Sequence, residues 1–440
     1  MLSKIAAKNF KAFGQNPGLQ LSLSGLNLLL GQNNSGKTSA IDVVALLVQT
    51  ARAQQNYSGL AWTGDLINLG PTGEFALHNA VRTASLQVTV EMQTPPTLTD
   101  QLGEHQTIGY RISFQPASNR YTYEFLANGD VLVRNLITHS QARGQRAELE
   151  IREIPASRLR MDFIPASQTQ TNIFNPSIFT TQNLSAGDPT NDSALARIST
   201  AREGMLEIQK FLATKVFLLG PNRGSPSTDL DEKIRIPHVG RNAEHTLQVL
   251  SAVFAKPEHR NAAEKIREWS NVFGLLEVSS GWAGGKELDS GYADHLTSVP
   301  LPLRSSGFGS QQILPVIVQL FASPEGSTVI VEEPEISLHP AAQVQLVRMF
   351  SDAVQSGRQV IVTTHSQYLV MALQEEARRS IQAKDVSVYH LSRTQDESKA
   401  EKLEIDPEGI IRGWIPSFAE VEKTLLDTWM ARVHDKFTDQ

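Results

Sequence analysis

Residues 31–38 read Gly-Gln-Asn-Asn-Ser-Gly-Lys-Thr, the GxxxxGK[ST] pattern of a phosphate-cradling loop. The loop follows an apolar run, Leu26, Leu28, Leu29 and Leu30, broken only by Asn27. That run is expected to be a buried strand ending at Gly31. Behind the loop, Ile41, Val44, Ala45 and Val48 recur at helical spacing. Strand, turn and helix N-terminus together are the context the motif requires. The main chain of Gly31, Gln32, Asn33, Asn34, Ser35, Gly36, Lys37, Thr38 and Ser39 is then expected to wrap phosphate oxygens, aided by the positive end of the helix dipole. Lys37 should reach the terminal phosphates and count among the catalytic groups, and the Thr38 hydroxyl should ligate Mg²⁺. A nucleoside triphosphate is the expected ligand.

A second cluster lies far along the chain, where residues 327–340 read STVIVEEPEISLHP. Thr328 to Val331 form a short apolar strand, and Glu332 and Glu333 stand where it leaves the sheet. Ligands of parallel sheets bind at that carboxyl edge. Neighbouring strand residues point to opposite sides, so the two acids take different tasks. Glu332 is expected to hold the water shell of Mg²⁺, and Glu333 to orient and deprotonate the attacking water. Pro340 should open a helix lined by Val344, Val347, Phe350 and Val354 and closed by Gly357. The next strand, Gln359 to Thr364, delivers His365 and Ser366 to the same edge, where a neutral imidazole can sense a γ-phosphate or position water. Residues 304–314, RSSGFGSQQIL, form a Ser/Gly turn leading into a helix. Ser306, Gly307, Gly309 and Ser310 with free helix N–H groups suit a γ-phosphate. The phosphate loop already serves its own nucleotide, so a site shared between two subunits is expected, a plain hinge being the alternative.

Outside these motifs, Leu2, Ile5, Phe10, Phe13, Leu19, Leu21 and Leu23 suggest two paired strands before the phosphate loop. In residues 9–13, NFKAF, an aromatic ring or Lys11 could lie beside a base, or the segment could be edge-strand core. No structure is assigned to residues 65–75. From about residue 84 the period becomes two, with strands at 86–92, 108–114, 121–125, 131–133 and 147–154 and an Asn-Gly-Asp turn at 128–130. These make an antiparallel sheet. The polar stretch 166–195 reads as a loop, a solvated linker in preference to a lid. Val216 to Gly220 is a short buried strand, and Arg223 beyond it is open to a phosphate, a neighbouring subunit or plain solvent. Residues 243–273 look helical, with Leu247, Leu250, Val253 and Phe254 on one face.

Composition sets limits. The 440 residues are 40% hydrophobic and 20% charged, as in ordinary globular proteins, and no apolar stretch approaches a membrane span. The first residues carry no signal peptide. A cytoplasmic protein without a membrane partner is expected. Zero cysteines exclude disulfides, thiolate metal sites and cysteine nucleophiles. With 40 basic and 46 acidic residues the net charge is −6, so there is no global pull on nucleic acid, although a local basic groove stays open.

Taken together, GQNNSGKT, RSSGFGSQQ, VIVEEPEISLHP and VIVTTHS resemble the phosphate loop, signature, acidic strand, D-loop and switch histidine of ABC-type ATPases of the SMC/RecF/OLD class. The likeness is greatest to bacterial AAA-type proteins related to the overcoming-lysogenisation-defect ATPases, whose recurrent segments NFKAF, FLLGPNRGSP, VGRNAEHTLQVL and GFGSQQILP resemble. The resemblance implies an α/β P-loop NTPase with an ABC-type head, a mixed-sheet lobe plus an antiparallel β lobe, and a helical insertion. It also implies ATP and Mg²⁺ as cofactors and a homodimer or higher homo-oligomer closed through the ATP sites. Three departures qualify it. The signature is not LSGGQ, which leaves the serine position open among Ser306, Gly307 and Gly309. Glu332 replaces the usual aspartate, and there are no heptads for a coiled-coil arm. The stretch after His365 is too short for the Toprim nuclease of OLD-type enzymes, so a separate effector, nuclease or toxin, is expected, with nucleic acid an open candidate partner.

The expected organisation is residues 1–80 and 301–395 as the two parts of the ATPase head, 81–165 as the β lobe, 166–300 as loop and helical insertion, and 396–440 as a tail. In the tail, Phe418, Val421, Leu425, Trp429 and Val433 form a helical stripe, expected first to dock on the chain's own head and second to bind a partner. The expected function is an ATPase whose dimerisation switches an effector or nucleic-acid complex, in anti-phage defence or DNA maintenance. An ATP-stabilised scaffold or sensor and the ATPase subunit of a transporter are the alternatives.

Overall fold

The computed structural model describes residues 1–53, 59–71, 73–78, 84–102, 107–118, 120–140, 144–151, 159–164, 174, 189–223, 237–282, 288–294, 296–406, 408–413 and 424–430. Near the N-terminus, β1 (Leu2–Lys8) and β2 (Leu19–Ser22) pair antiparallel, as their alternating apolar residues require. The apolar run becomes β3 (Leu26–Leu30), buried at every position, and α1 (Lys37–Arg52) follows the phosphate loop.

The period-two region supplies β4 (Leu86–Gln93), then α2 (Pro96–Leu102), β5 (Thr107–Gln115), β6 (Arg120–Ala127), β7 (Asp130–Ser140), β8 (Gly144–Ile151) and β9 (Leu159–Ile164). With β1 and β2 they form one antiparallel sheet in the order β2-β1-β4-β5-β6-β7-β8-β9. The sheet therefore begins at the N-terminus, because β1 pairs with β4 through Ile5 opposite Val90. Of the strand expected at 147–154, residues 152–154 lie outside the described residues.

The polar stretch 166–195 is not all loop. Most of it lies outside the described residues, but Pro189 opens a 27-residue helix, α3 (Pro189–Lys215). Proline at a helix start forfeits no hydrogen bond. The buried Ala194, Ile198, Ala201, Met205, Ile208 and Leu212 then recur at helical spacing along it. Next come β10 (Val216–Leu219), α4 (Thr246–Ala255), α5 (Arg260–Val272) and a small antiparallel sheet of β11 (Leu275–Trp282), β12 (Leu288–Asp294) and β13 (Pro300–Pro302). The insertion thus carries strands as well as helices.

The C-terminal part runs α6 (Phe308–Ala322), β14 (Thr328–Glu332), α7 (Pro340–Gln355), β15 (Gln359–Thr364), α8 (Gln367–Arg379), β16 (Val386–Arg393) and β17 (Ser398–Leu403). Five of the six strands in the order β10-β14-β15-β3-β16-β17 are parallel, and β17 closes the edge antiparallel. Alternation divides the core in two. Leu29, Leu218, Ile330, Ile361 and Tyr389 face the layer of α1 and α3, which the antiparallel sheet covers. Leu28, Leu30, Phe217, Val329, Val331, Val360 and Val362 face α4, α6, α7 and α8. Helices on both faces of a mainly parallel sheet define the α/β class. Among the described residues no helix is long and apolar enough to cross a membrane.

Of the tail stripe, only Leu425 and Trp429 lie within the described residues. They sit on a helical turn at 424–430 with side chains 64% and 59% exposed, so this part is not docked on the head. Phe418, Val421 and Val433 lie outside.

Candidate functional site

Strand register assembles the site. Leu30 of β3 lies opposite Thr364 of β15, and Glu332 of β14 lies opposite Thr363. Gly31, Glu333 and His365, each one step beyond, therefore leave the sheet at one edge. It is the carboxyl edge of the parallel strands, where such sheets bind ligands.

The phosphate loop is tightly constrained. Gly36 adopts φ 104 and Asn34 φ 61, left-handed values that Gly and Asn tolerate best. A Cβ on Gly31 would lie 2.3 Å from the Leu391 carbonyl and 2.5 Å from Ser35 Oγ. Lys37 curls over the loop, its Nζ donating to the Gly31 and Gln32 carbonyls at 2.8 and 2.9 Å. Burial lowers the Lys37 pKa, while the nearby Glu333 and Glu335 carboxylates act the other way. Ser35 Oγ is buried without a hydrogen-bond partner. A loop with an unpartnered hydroxyl, a curled lysine and the open N–H groups of α1 fits a polyphosphate.

Glu332 is buried, and its Oε1 accepts from Arg241 Nη2 at 2.9 Å. The same guanidinium lies 4.0 Å from Asp42 of α1 and donates to the Leu66 carbonyl, while Lys11 binds Asp42 from the other side. Two cations and two carboxylates thus alternate through the base of the site. Burial pushes the Glu332 carboxyl up to about 7 against the pull of Arg241, with Asp42 and Glu333 adding to the push. Among the described residues no cluster of three or more His, Cys, Asp or Glu forms a metal site by itself. The Thr38 hydroxyl and the Glu332 carboxylate are oxygen donors of the kind that suit Mg²⁺, an ion that keeps several waters and takes its remaining oxygens from phosphates.

The segment NFKAF is core. Phe10 and Phe13 are fully buried and Lys11 is bonded to Asp42, which favours the edge-strand core of the two expected roles.

Glu333 adopts φ 47, a left-handed conformation that costs a non-glycine residue about 1–2 kcal/mol. Its N–H donates to Thr363 O at 2.9 Å, and its Oε1 lies 3.1 Å from His365 Nε2. Glu335 holds the far side of the pair, its Oε1 accepting from Thr364 Oγ1 and from the His365 N–H at 2.8 Å. Ser366 caps α8 by accepting from the Tyr368 and Leu369 N–H groups. The two strand ends are therefore tied together through Glu333–His365 and Glu335–His365.

The Ser/Gly turn ends at Gly307, the N-cap of α6, so the helix starts earlier than the sequence suggests. Ser306 donates its N–H to Leu303 O, accepts at its carbonyl from Gln311 Nε2 at 3.1 Å, and buries an Oγ with no partner. A Cβ on Gly309 would lie 2.7 Å from Ser337 O, so only glycine lets α6 approach the turn after Glu335 this closely. Phe308 between them is 58% exposed and Ser310 partly exposed.

Arg223 is not a surface arginine. It is fully buried and donates to the carbonyls of Gly220, Gln312, Glu332 and Glu333 at 2.8–2.9 Å. A position just past a buried strand gave no sign of this, because three of the four carbonyls come from two distant stretches of chain. Asp42, Arg241 and Glu335 also escaped the sequence reading. Asp42 alone carried a signal, as an acid among the apolar residues of α1.

One titration follows from the surroundings. His238 Nε2 lies 2.8 Å from Arg52 Nη1, and burial, then Arg52 and His245, pull its pKa down to about 3. The native state keeps this imidazole neutral where the unfolded chain protonates it, so its contribution to stability is lost as pH falls from about 6.5 towards 3. Thermal melts should lose roughly 2–4 kcal/mol over that range, allowing for the partly open ring, and His238→Gln should flatten the slope. An identical acid profile in the variant would remove His238 as the cause.

Residues 26–372 match the family model described as AAA domain, putative AbiEii toxin, Type IV TA system. Similar solved structures include an SmcHead bound to the C-winged helix domain of ScpA, 13% identical with a TM-score of 0.44, covering 92% of this chain and 98% of that one. The SMC head domain from Thermotoga maritima is 12% identical with a TM-score of 0.43, at 92% and 99% coverage. An Smc head domain with an extended coiled coil bound to the C-terminal domain of ScpA, derived from Pyrococcus furiosus, is 11% identical with a TM-score of 0.42, at 97% and 99% coverage. No curated protein matches the sequence.

Proposed function

The chain belongs to this AAA-domain family, and from that premise we propose that it binds and hydrolyses ATP, closing as a dimer on two nucleotides and reopening on hydrolysis. The observation that carries the reading is the Glu333–His365 pair, 3.1 Å apart at the edge where the phosphate loop begins.

In this reading, Gly31 to Ser39 hold the triphosphate by main-chain N–H groups, and Lys37 leaves its loop carbonyls to meet the terminal phosphate. Thr38 and Glu332 would hold Mg²⁺, which would supply positive charge to the phosphate oxygens. Glu333 accepts a proton from the attacking water as the bond from γ-phosphorus to ADP breaks, and His365 orients its carboxylate. The turn at Ser306, Gly307, Gly309 and Ser310 completes the pocket of a second copy. Residues 1–80 and 301–395 act as the head, 81–165 as its β lobe, 166–300 as an insertion and 396–440 as a tail.

Subclass and output belong to the same proposal: an OLD-like, ABC-type ATPase of the cytoplasm, working with a separate nuclease or toxin, with or without nucleic acid, in anti-phage defence or DNA maintenance. The family description, which names a toxin of a toxin–antitoxin system, supports the defence output.

The dimer has a direct test. With ATP and Mg²⁺, the Glu333→Gln protein should elute as a dimer in light scattering, and Ser306→Arg should return it to monomer. A Glu333→Gln protein that stays monomeric at saturating ATP would sink the shared site. An ATP-stabilised scaffold predicts tight binding with no phosphate release whatever partner is added. A transporter subunit predicts a membrane partner in pull-downs.

A further inference from the structure

We infer that Arg223 is a positioning residue that locks α6, the helix carrying the Ser/Gly turn, to the strand end carrying Glu333, so that docking of α6 on a partner's nucleotide and alignment of Glu333 in the same protomer are one event. The inference deepens the shared-site reading and rests on it.

The geometry is that of a four-way clamp. Arg223 Nε donates to Gln312 O at 2.9 Å, Nη1 to Gly220 O and Glu332 O at 2.8 Å each, and Nη2 to Glu333 O at 2.9 Å. Every acceptor is a main-chain carbonyl, so the side chain reads the path of the backbone rather than any neighbour's identity. Gln312 answers from α6, its Nε2 donating to Arg223 O at 3.0 Å. The two residues are therefore bonded in both directions, one turn inside the N-cap at Gly307. The same helix end touches the turn after Glu335, where Gly309 approaches Ser337 O.

On the strand side the clamp meets a strained residue. Glu333 at φ 47 has its N–H bonded to Thr363 O and its carbonyl to Arg223. Those two bonds fix the peptide planes on either side of its Cα and so aim the carboxylate at His365. Burying a cation with no carboxylate bonded to it is costly, and the nearby Glu332, Glu333 and Glu335 only partly offset the burial that lowers the Arg223 pKa to about 10. A filler of the same volume would avoid that cost. Lysine cannot replace the fork, because a single ammonium offers three donors from one point and does not span four carbonyls.

A shift of α6 thus cannot leave the Glu332–Glu333 backbone behind. When a partner's γ-phosphate fixes Ser306 and Gly307, the fixed helix holds Gln312, Gln312 holds Arg223, and Arg223 holds Glu333. Hydrolysis should then be cooperative in ATP, since each pocket is set by a helix whose own protomer has its acid set in return.

Two variants test this. Arg223→Lys should keep ATP affinity within about twofold while kcat falls about 10²-fold, the scale of a 1 Å misplacement. Gln312→Ala removes only the return bond, leaves all four guanidinium bonds in place, and serves if Arg223→Lys does not fold. Its turnover should fall roughly fivefold, the worth of one hydrogen bond. In Arg223→Lys the Hill coefficient for hydrolysis should drop from ~2 to ~1, and in Gln312→Ala part of the way, with the ATP-loaded dimer still formed in each. Wild-type turnover and cooperativity in Gln312→Ala, or a parallel loss of melting temperature, affinity and kcat with cooperativity intact, overturns the inference alone. A wild-type chain that stays monomeric with ATP overturns the shared site and the inference with it.

Discussion

Glu333→Gln should slow ATP hydrolysis by roughly 10²–10⁴, equivalent to about 3–5 kcal/mol of barrier, while ATP binding survives. The exchange keeps the size of the side chain and one hydrogen-bonding oxygen, so the φ 47 backbone, the bond to Thr363 and the clamp from Arg223 all remain. What it removes is the capacity to take a proton from water. Because Glu333 sits beyond β14 and not in the phosphate loop, its loss should leave the triphosphate's contacts untouched. Single-turnover phosphate release gives the rate, and equilibrium titration with fluorescent ATP gives the affinity. Unchanged turnover would take Glu333 out of the role of base, whereas a matching loss of affinity would mean that the residue shapes the pocket rather than the chemistry.

Lys37→Ala should act on the opposite quantity. The ammonium is held at 2.8 and 2.9 Å by two loop carbonyls, and in the proposed cycle it is released to the terminal phosphates when nucleotide binds. A charge-assisted contact of that kind contributes about 1.5–3 kcal/mol, so ATP affinity should fall roughly 10- to 150-fold. ADP, which lacks the γ-phosphate, should lose less. Fold should persist, because alanine at the first position of α1 is a good helix former and the two loop carbonyls can turn to solvent. Titrations of ATP and ADP on both proteins check this, and equal affinities for wild type and variant would contradict the phosphate cradle.

Local chemistry was readable from the chain and distant pairing was not. The glycine-rich turn, the apolar runs of β3, β14 and β15 and the strand-end residues Glu333 and His365 are each written in a few adjacent residues, because period and turn chemistry are local properties. The arrival of Glu333 and His365 at one sheet edge follows from β14, β15 and β3 being parallel neighbours, whereas the 3.1 Å bond between them is visible only in the structure. Arg223, Arg241 and Asp42 were opaque for the converse reason. Each owes its place to contacts more than 90 residues away or to a different element, and a lone arginine after a strand looks alike whether it meets water or four buried carbonyls. Helix α3 has no counterpart in the sequence-based expectation: Thr190, Asn191, Asp192 and Ser193 read as loop, and nothing is assigned between residue 195 and the strand at Val216. Such residues are common at helix N-termini as well as in loops, and the apolar stripe that decides between them begins only at Ala194. Lys11 shows a third kind of limit: its position near the site was legible, but its commitment to Asp42 depended on α1 turning that acid inward.

Helix α1 is enclosed along nearly its whole length by two sheets and α3, and 13 of its 16 residues are buried. A rod so tightly jacketed has no slack. Its far end, about 22 Å from Lys37, is bolted by Arg52 to the Ala213 and Val216 carbonyls, where α3 runs into the outermost strand of the parallel sheet. If bound nucleotide shifts one tip, as the proposed cycle requires, close packing favours displacement of the helix as a block over bending along the way. The surface where α3 meets β10 is thus joined to the phosphate loop through one rigid element.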